Sequence, residues 1–199
     1  MARSHRGHDS TRAAVGVGWP NGWAVVGGEI LGWYDGAAGK TGMEPEVHSS
    51  NRSESAEHSQ RSQLCIRQAD DYLTRRKRRK ASRKGWEAAA ESVKAIAIQR
   101  GWNHNSKSLL ADVAQQVSDE QGKPDIVLRL GPAIVLYSNS YDNSLPADVI
   151  EVYLGIIKSL LPELERIRNE TPPTFTPETL DQRNRWRRLL GGVSGLSVR

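Results

Sequence analysis

The chain has 199 residues, a formal net charge of +5, 37% hydrophobic and 26% charged residues. That length holds one domain of ordinary size with extensions, and the modest apolar fraction leaves part of the chain outside any core. A single cysteine, Cys65, excludes an internal disulfide and a cysteine-based zinc site and fits a reducing, cytosolic setting; the five histidines (His5, His8, His48, His58, His104) lack paired ligand spacing, so neither metal nor cofactor is expected.

Residues 1–58 offer poor core material. They hold 10 of the 18 glycines, three tryptophans (Trp19, Trp23, Trp33) and no lasting helical or strand period. Arg3, Arg6 and Arg12 precede an apolar stretch, but Gly16, Gly18, Pro20, Gly22, Gly27 and Gly28 interrupt it. A signal core or a membrane helix needs an unbroken apolar run, so neither is expected. The segment reads as disordered or irregular. It can form a short hairpin of Val25-Val26 and Ile30-Leu31 around Gly27-Gly28, and residues 48–60 read as a Ser/Glu/Arg-rich linker. Gly39-Lys40-Thr41 imitates the end of a phosphate-binding loop, but such a loop needs glycine where Tyr34 stands, and no helical pattern follows.

From Ser59 the pattern changes. Cys65, Ile66, Ala69, Tyr72 and Leu73 fall on one helical face. Residues 81–100 give a second helix, with a stripe of Trp86, Ala89, Ala90, Val93, Ile96 and Ala97 that lets a neighbour come close, and Gly101 ends it. Ser106 or Ser108 caps a third helix with Leu109, Leu110, Val113, Ala114 and Val117 inward, stopped by Gly122. A fourth runs over residues 125–141, with Pro132 expected to kink it. Ser144 is expected to cap a fifth, opened by Pro146 and bent at Pro162, that buries Val149, Ile150, Tyr153, Ile157, Leu160, Leu161, Leu164 and Ile167. Thr171-Pro172-Pro173 marks a linker, and residues 179–190 make a short basic helix. Helices joined by short loops are up-and-down bundle material. The organisation expected is therefore an extension (1–58), an all-α bundle of four to five helices (59–168), and a linker with a short Arg-rich helix (169–199).

Charge is unevenly distributed. Residues 1–60 net −2; residues 61–107 carry 13 basic and 4 acidic groups, net +9; residues 108–165 carry 3 and 9, net −6; residues 166–199 net +4. Such a polarised surface attracts phosphates on its basic side or pairs two copies head to tail.

Four constellations can carry chemistry. Arg75, Arg76, Lys77, Arg78, Arg79 and Lys80 form an unbroken cationic run, followed by Arg83 and Lys84. Straddling a turn between helices, they make a dense, sequence-blind phosphate corner; otherwise they are a solvated helix end. Arg100, Trp102, His104 and Lys107 surround the end of the second helix. An imidazole there can move the proton of a ribose 2′-hydroxyl and a guanidinium can stabilise a charged phosphate; the plainer reading is a loop histidine and a C-terminal helix charge. Tyr137, Asn139 and Tyr141 suit phosphate or base contact, or else seal a helix–loop junction. Arg183, Arg185, Arg187 and Arg188 around Trp186 suit RNA contact, or else dock the last helix.

The run from Lys80-Ala81-Ser82-Arg83-Lys84-Gly85-Trp86 through Val93-Lys94-Ala95-Ile96-Ala97 to Arg100-Gly101-Trp102-Asn103-His104 resembles the PaREP-like branch of the HEPN superfamily. So does Leu136-Tyr137-Ser138-Asn139-Ser140-Tyr141 followed by Leu145-Pro146, and the likeness spans residues 59–164. It implies a HEPN bundle, usually a homodimer. Many such proteins are metal-independent ribonucleases, or partners of nucleotidyltransferases or antitoxins in toxin–antitoxin and defence systems. Under this resemblance RNA or nucleotide phosphate would meet Arg75, Arg76, Lys77, Arg78, Arg79, Lys80, Lys94, Lys107, Asn139 and Tyr141, and any catalysis would fall to Arg100 and His104. The HEPN motif sets about four to six residues between an Arg and a following His, whereas only three separate Arg100 from His104. Arg83 stands where Glu is usual, and Lys107 and Tyr137 stand where His is common. These departures remove proton carriers and leave the bundle intact, so a non-enzymatic interaction module is the competing expectation.

Overall fold

A computed structural model of the chain describes residues 24–26, 29–31, 46–170 and 175–191. Most of the irregular segment expected over residues 1–58, the imitation phosphate loop and the linker at Thr171-Pro172-Pro173 lie outside these residues. The chain divides into two compact units, Met1–Gly42 and Met43–Arg199. In the first, β1 (Ala24–Val26) pairs antiparallel with β2 (Glu29–Leu31), with Val25 opposite Ile30, as the hairpin reading anticipates.

The second unit is an all-helical bundle: α1 (Glu46–Thr74), α2 (Arg78–Gln99), α3 (Lys107–Gln121), α4 (Asp125–Asp142), α5 (Ala147–Asn169) and α6 (Leu180–Leu189). Local signals set most boundaries. Ser106 is the N-cap of α3, its hydroxyl accepting from the Leu109 amide at 3.2 Å, and Gly122 closes the helix at φ 60. Thr179 and Gln182 form a reciprocal capping box on α6. Pro132 and Pro162 lie inside α4 and α5, both of which continue past them.

Two readings are corrected. Residues 48–60 are not a linker, because α1 runs through them. The segment has few large apolar residues but packs through small hydroxyls. Ser55 within it, and Ser62 just beyond it, are buried and donate at 2.7 Å to the Ala95 and Ala88 carbonyls of α2. Such contacts leave no hydrophobic period to detect. Ser144 does not cap α5 either; its hydroxyl bonds the Asp142 carboxylate at 3.1 Å, and extended Pro146 precedes the first turn.

Helix α2 is the centre of the bundle and shares both halves of the core. One half joins Ile66 and Ala69 of α1 to Ala88 and Ala89 of α2, Leu136 of α4, and Leu154 and Ile157 of α5. The other joins Val93 and Ile96 of α2 to Val113 and Val117 of α3, Ile126 of α4, Leu164 of α5 and Leu189 of α6. The approach is closest at Gly85, where a β-carbon would stand 2.5 Å from Leu154 Cδ2 and 2.7 Å from Leu136 Cδ1. Both leucines are buried. Among the described residues no helix is long and apolar enough to cross a membrane.

Carboxylates tie the helices together at the surface. Glu91 takes His58 at 2.5 Å and Lys94 at 3.1 Å. Burial works against its ionised form, but these two hydrogen bonds outweigh it and hold its pKa below the usual range. Lys123 and Arg129 depress Glu163 in the same way, and Arg168 depresses Glu165.

Two outcomes follow for stability. Gly85→Val should destabilise the bundle by about 2–3 kcal/mol through overpacking, read as a lower urea midpoint. Because the folded-state pKa values of Glu91, Glu163 and Glu165 lie below the unfolded value of about 4.3, their stabilisation is complete above that pH and is lost as pH falls through the folded values. Urea midpoints should therefore be flat from about pH 7 to 5 and drop below about 4, with a smaller drop in Glu165→Gln.

Candidate functional site

The cationic run straddles the turn between α1 and α2. Arg75, Arg76 and Lys77 lie in the turn, and Arg78, Arg79 and Lys80 begin α2. Arg76 adopts φ 58, the left-handed conformation that reverses the chain. Two arginines are anchored by neutral acceptors: Arg78 donates to the Leu145 carbonyl at 3.1 Å and Arg79 to the Ser140 carbonyl at 3.2 Å. Arg75 pairs with Asp71 at 2.9 Å, and the Lys80 ammonium lies 5.7 Å from the centre of the Tyr72 ring. Arg76, Lys77, Arg78, Arg79 and Lys80, with Asn143, line a cleft of about 300 Å³. Among the described residues none of these five cations pairs with a carboxylate. Asn143 Oδ1 is buried there with no hydrogen-bond donor.

A second cluster centres on Lys107 and Tyr137. The Lys107 ammonium lies 3.7 Å from the centre of the Tyr137 ring, which packs edge-on against Trp86 at 5.3 Å and Tyr141 at 5.1 Å. The Tyr141 hydroxyl donates to that of Tyr137 at 3.1 Å. This bond, then Lys107, hold the Tyr137 hydroxyl below the usual phenol range. The same bond pushes Tyr141 up, against the influence of nearby Arg83. Arg83 also reaches Glu87 at 3.6 Å. Chain order separates Lys107 and Tyr137, so only the fold reveals that they meet.

The remaining candidates have other engagements. Arg100 is an interior residue: its guanidinium pairs with Glu120, the two side chains being 3% and 1% exposed, and lies 4.9 Å from the centre of the Trp102 ring. Gln116 supports Glu120 with a 3.1 Å bond, while Arg100 Nε and Nη2 have no acceptor. His104 is half-buried, with Nδ1 3.0 Å from the Trp102 carbonyl. Asn139 is buried and seals the α4–α5 junction, donating to Ser82 Oγ at 2.7 Å and accepting from the Leu145 amide at 2.8 Å. Lys94 is paired with Glu91. The structure thus joins the six-cation run into one patch and places Lys107 over the Tyr137 ring, with Tyr141 packed against the same ring, but it gives Arg100, Asn139 and Lys94 internal partners.

The model of the archaeal PaREP1/PaREP8 family matches residues 57–161, more than half of the chain. The chain belongs to that family. The PaREP1/PaREP8 match begins inside α1 and ends inside α5, so it contains the basic turn, the Lys107–Tyr137 cluster and the Arg100–Glu120 pair. Neither a curated protein nor a solved structure matches the chain.

Outside the PaREP1/PaREP8 region, α6 is held by its arginines. Arg185 pairs with Asp119, and Arg188 grips Asp112 through bonds of 2.7 and 2.8 Å. Trp186 packs 5.4 Å from Trp102, and Leu189 is fully buried. Of the two readings of this helix, docking accounts for Arg185, Trp186 and Arg188. Sequence reasoning missed Glu120, Asp119 and Asp112 as partners. The available signal was three acids at helical spacing on α3, two of them matched by the arginines of α6 and the third by Arg100 at the end of α2.

Removing one half of a buried ion pair strands the other charge. Arg100→Leu should therefore cost about 3–5 kcal/mol, and the double variant Arg100→Leu, Glu120→Leu should recover most of it. Denaturation of the three proteins measures both effects.

Proposed function

We propose that this PaREP1/PaREP8 protein is a HEPN-like bundle of the cytosol that binds RNA, or another nucleotide polyphosphate, without cutting it. The observation that carries the reading is the cleft at the α1–α2 turn, where five cations from consecutive positions share about 300 Å³ with no carboxylate in the lining. Phosphates bound there would displace counterions, and the contact would be sequence-blind. The carbonyl anchors on Arg78 and Arg79 orient their guanidinium planes while leaving further donors on each for phosphate oxygens. Asn143 Oδ1 offers an acceptor to a ribose hydroxyl or a base amino group.

Binding rather than cleavage is favoured by the state of the candidate catalytic pair. Arg100 is neutralised inside the bundle by Glu120, so it cannot meet a scissile phosphate without breaking a buried pair. His104 then lacks a cationic partner, and the second proton carriers common in HEPN nucleases are replaced by Lys107 and Tyr137. A homodimer would form through the face of α4 that exposes Leu128 and Val135, two apolar side chains seven residues apart and outside the lining of any other site. The same face suits a nucleotidyltransferase or antitoxin in the competing reading.

Retention of a structured RNA on filters, in EDTA and across a salt series, tests the proposal. Wild type should retain RNA at low salt, with affinity falling by about 0.7–0.9 logarithmic units per phosphate contact for each tenfold rise in salt. Lys77→Glu with Lys80→Glu should weaken retention about tenfold or more and flatten the slope, and the RNA should be recovered intact. His104→Ala should behave as wild type. Equal retention by the Lys77/Lys80 variant, or none by wild type, would overturn the reading.

A further inference from the structure

A hollow of about 330 Å³ opens between α2, α3 and α4. Its walls are apolar, with Trp86, Ala90 and Val93 on α2, Ala114 on α3, and Leu130 and Ile134 on α4. It is open to solvent, with Ile134 exposed at its mouth, and a volume of this size is at the lower end of small-molecule sites. The space exists because α2 and α3 face each other across alanines rather than larger side chains.

The polar groups stand at one end only. Lys107 and Ser108 line it, beside the Tyr137 ring. They open α3, where the Leu109 amide is taken by the Ser106 cap but the Lys107 and Ser108 amides have no acceptor within the helix, and whose dipole favours an anion. Among the described residues Lys107 pairs with no carboxylate, and none lines the hollow. An apolar body with one anionic head matches this arrangement, whereas a polyphosphate requires more cations than the single ammonium here.

We propose that the hollow between α2, α3 and α4 binds a small organic carboxylate with an apolar body, its head at Lys107 and the first turn of α3. The site is separate from the basic turn, and neither proposal depends on the other. The apolar part of the ligand displaces water from the alanine-lined wall, which supplies the affinity. The ammonium supplies selection for an anion over a neutral molecule of the same shape.

Titrations of the full chain with benzoate and hexanoate, and with benzamide and hexanol as neutral counterparts, test this by methyl NMR. The acids should shift the Ala90, Ala114 and Ile134 methyl signals saturably below about 10 mM. Lys107→Met should weaken both acids about tenfold or more, the loss of one charge-assisted hydrogen bond, while leaving the neutral probes within about twofold. Ala114→Leu should abolish binding of all four probes; should it unfold the bundle, Ile134→Trp at the mouth serves the same purpose. Three results would each overturn the proposal. They are no saturable shift with either acid, equal weakening of acids and neutral probes by Lys107→Met, and shifts of the same methyls on raising protein concentration alone, which would mark a second copy as the occupant.

Discussion

Helix α2 touches α1, α3, α4 and α5, and a helix with four neighbours cannot carry large side chains on every side. Its sequence answers that constraint with Ala81, Ser82, Gly85, Ala88, Ala89, Ala90 and Ala97, all buried. At Gly85 the side chains of Leu136 and Leu154 come so near the backbone that no β-carbon fits between them. Glycine inside a helix costs about 1 kcal/mol relative to alanine. Here the expense is offset by contacts that join two halves of the core. Everything of functional interest hangs from this axis: the basic turn precedes its first residues, Trp86 and Ala90 wall the hollow, and Arg100 ends it.

Much of the bundle was legible because its signals are local or periodic. Ser106 and Gly122 bracket α3 as sequence alone predicts, and the apolar period of α5 recurs in its buried face. The start of α1 was not legible, since its packing uses Ser55 and Ser62 and leaves no apolar stripe. The cationic turn was legible as a run, and its position between helices followed from the flanking periods. The partners of Arg100, Arg185 and Arg188 were not, because Glu120, Asp119 and Asp112 are distant in sequence and look like surface acids of α3. A charge read in isolation suggests a ligand; the same charge beside a buried acid holds a fold together. That difference moved Arg100 from candidate catalyst to internal strut while leaving Arg76, Lys77 and Lys80 facing solvent.

The distribution of cations therefore separates two kinds of work. Arg78, Arg79 and Lys80, where α2 leaves the turn, lean on carbonyl oxygens or an aromatic ring, which orient them without cancelling their charge. Those beyond it are mostly matched by carboxylates, on α2, α3, α5 and α6. A net charge of +5 thus understates the local field at one corner of the bundle and overstates it elsewhere.

The docking of α6 bears on where this protein ends as a physical object. The family match stops at residue 161, yet Leu189 sits in the same core cluster as Val93 and Ile126, and the Asn103 amide and side chain clasp the Leu189 and Arg188 carbonyls at 2.9 and 2.8 Å. The edge of shared sequence and the edge of the cooperative folding unit are therefore different places. A fragment cut to the family's borders would bare Trp102 to water and strand Asp112 and Asp119, and would report on a molecule whose interior had been left open at one end.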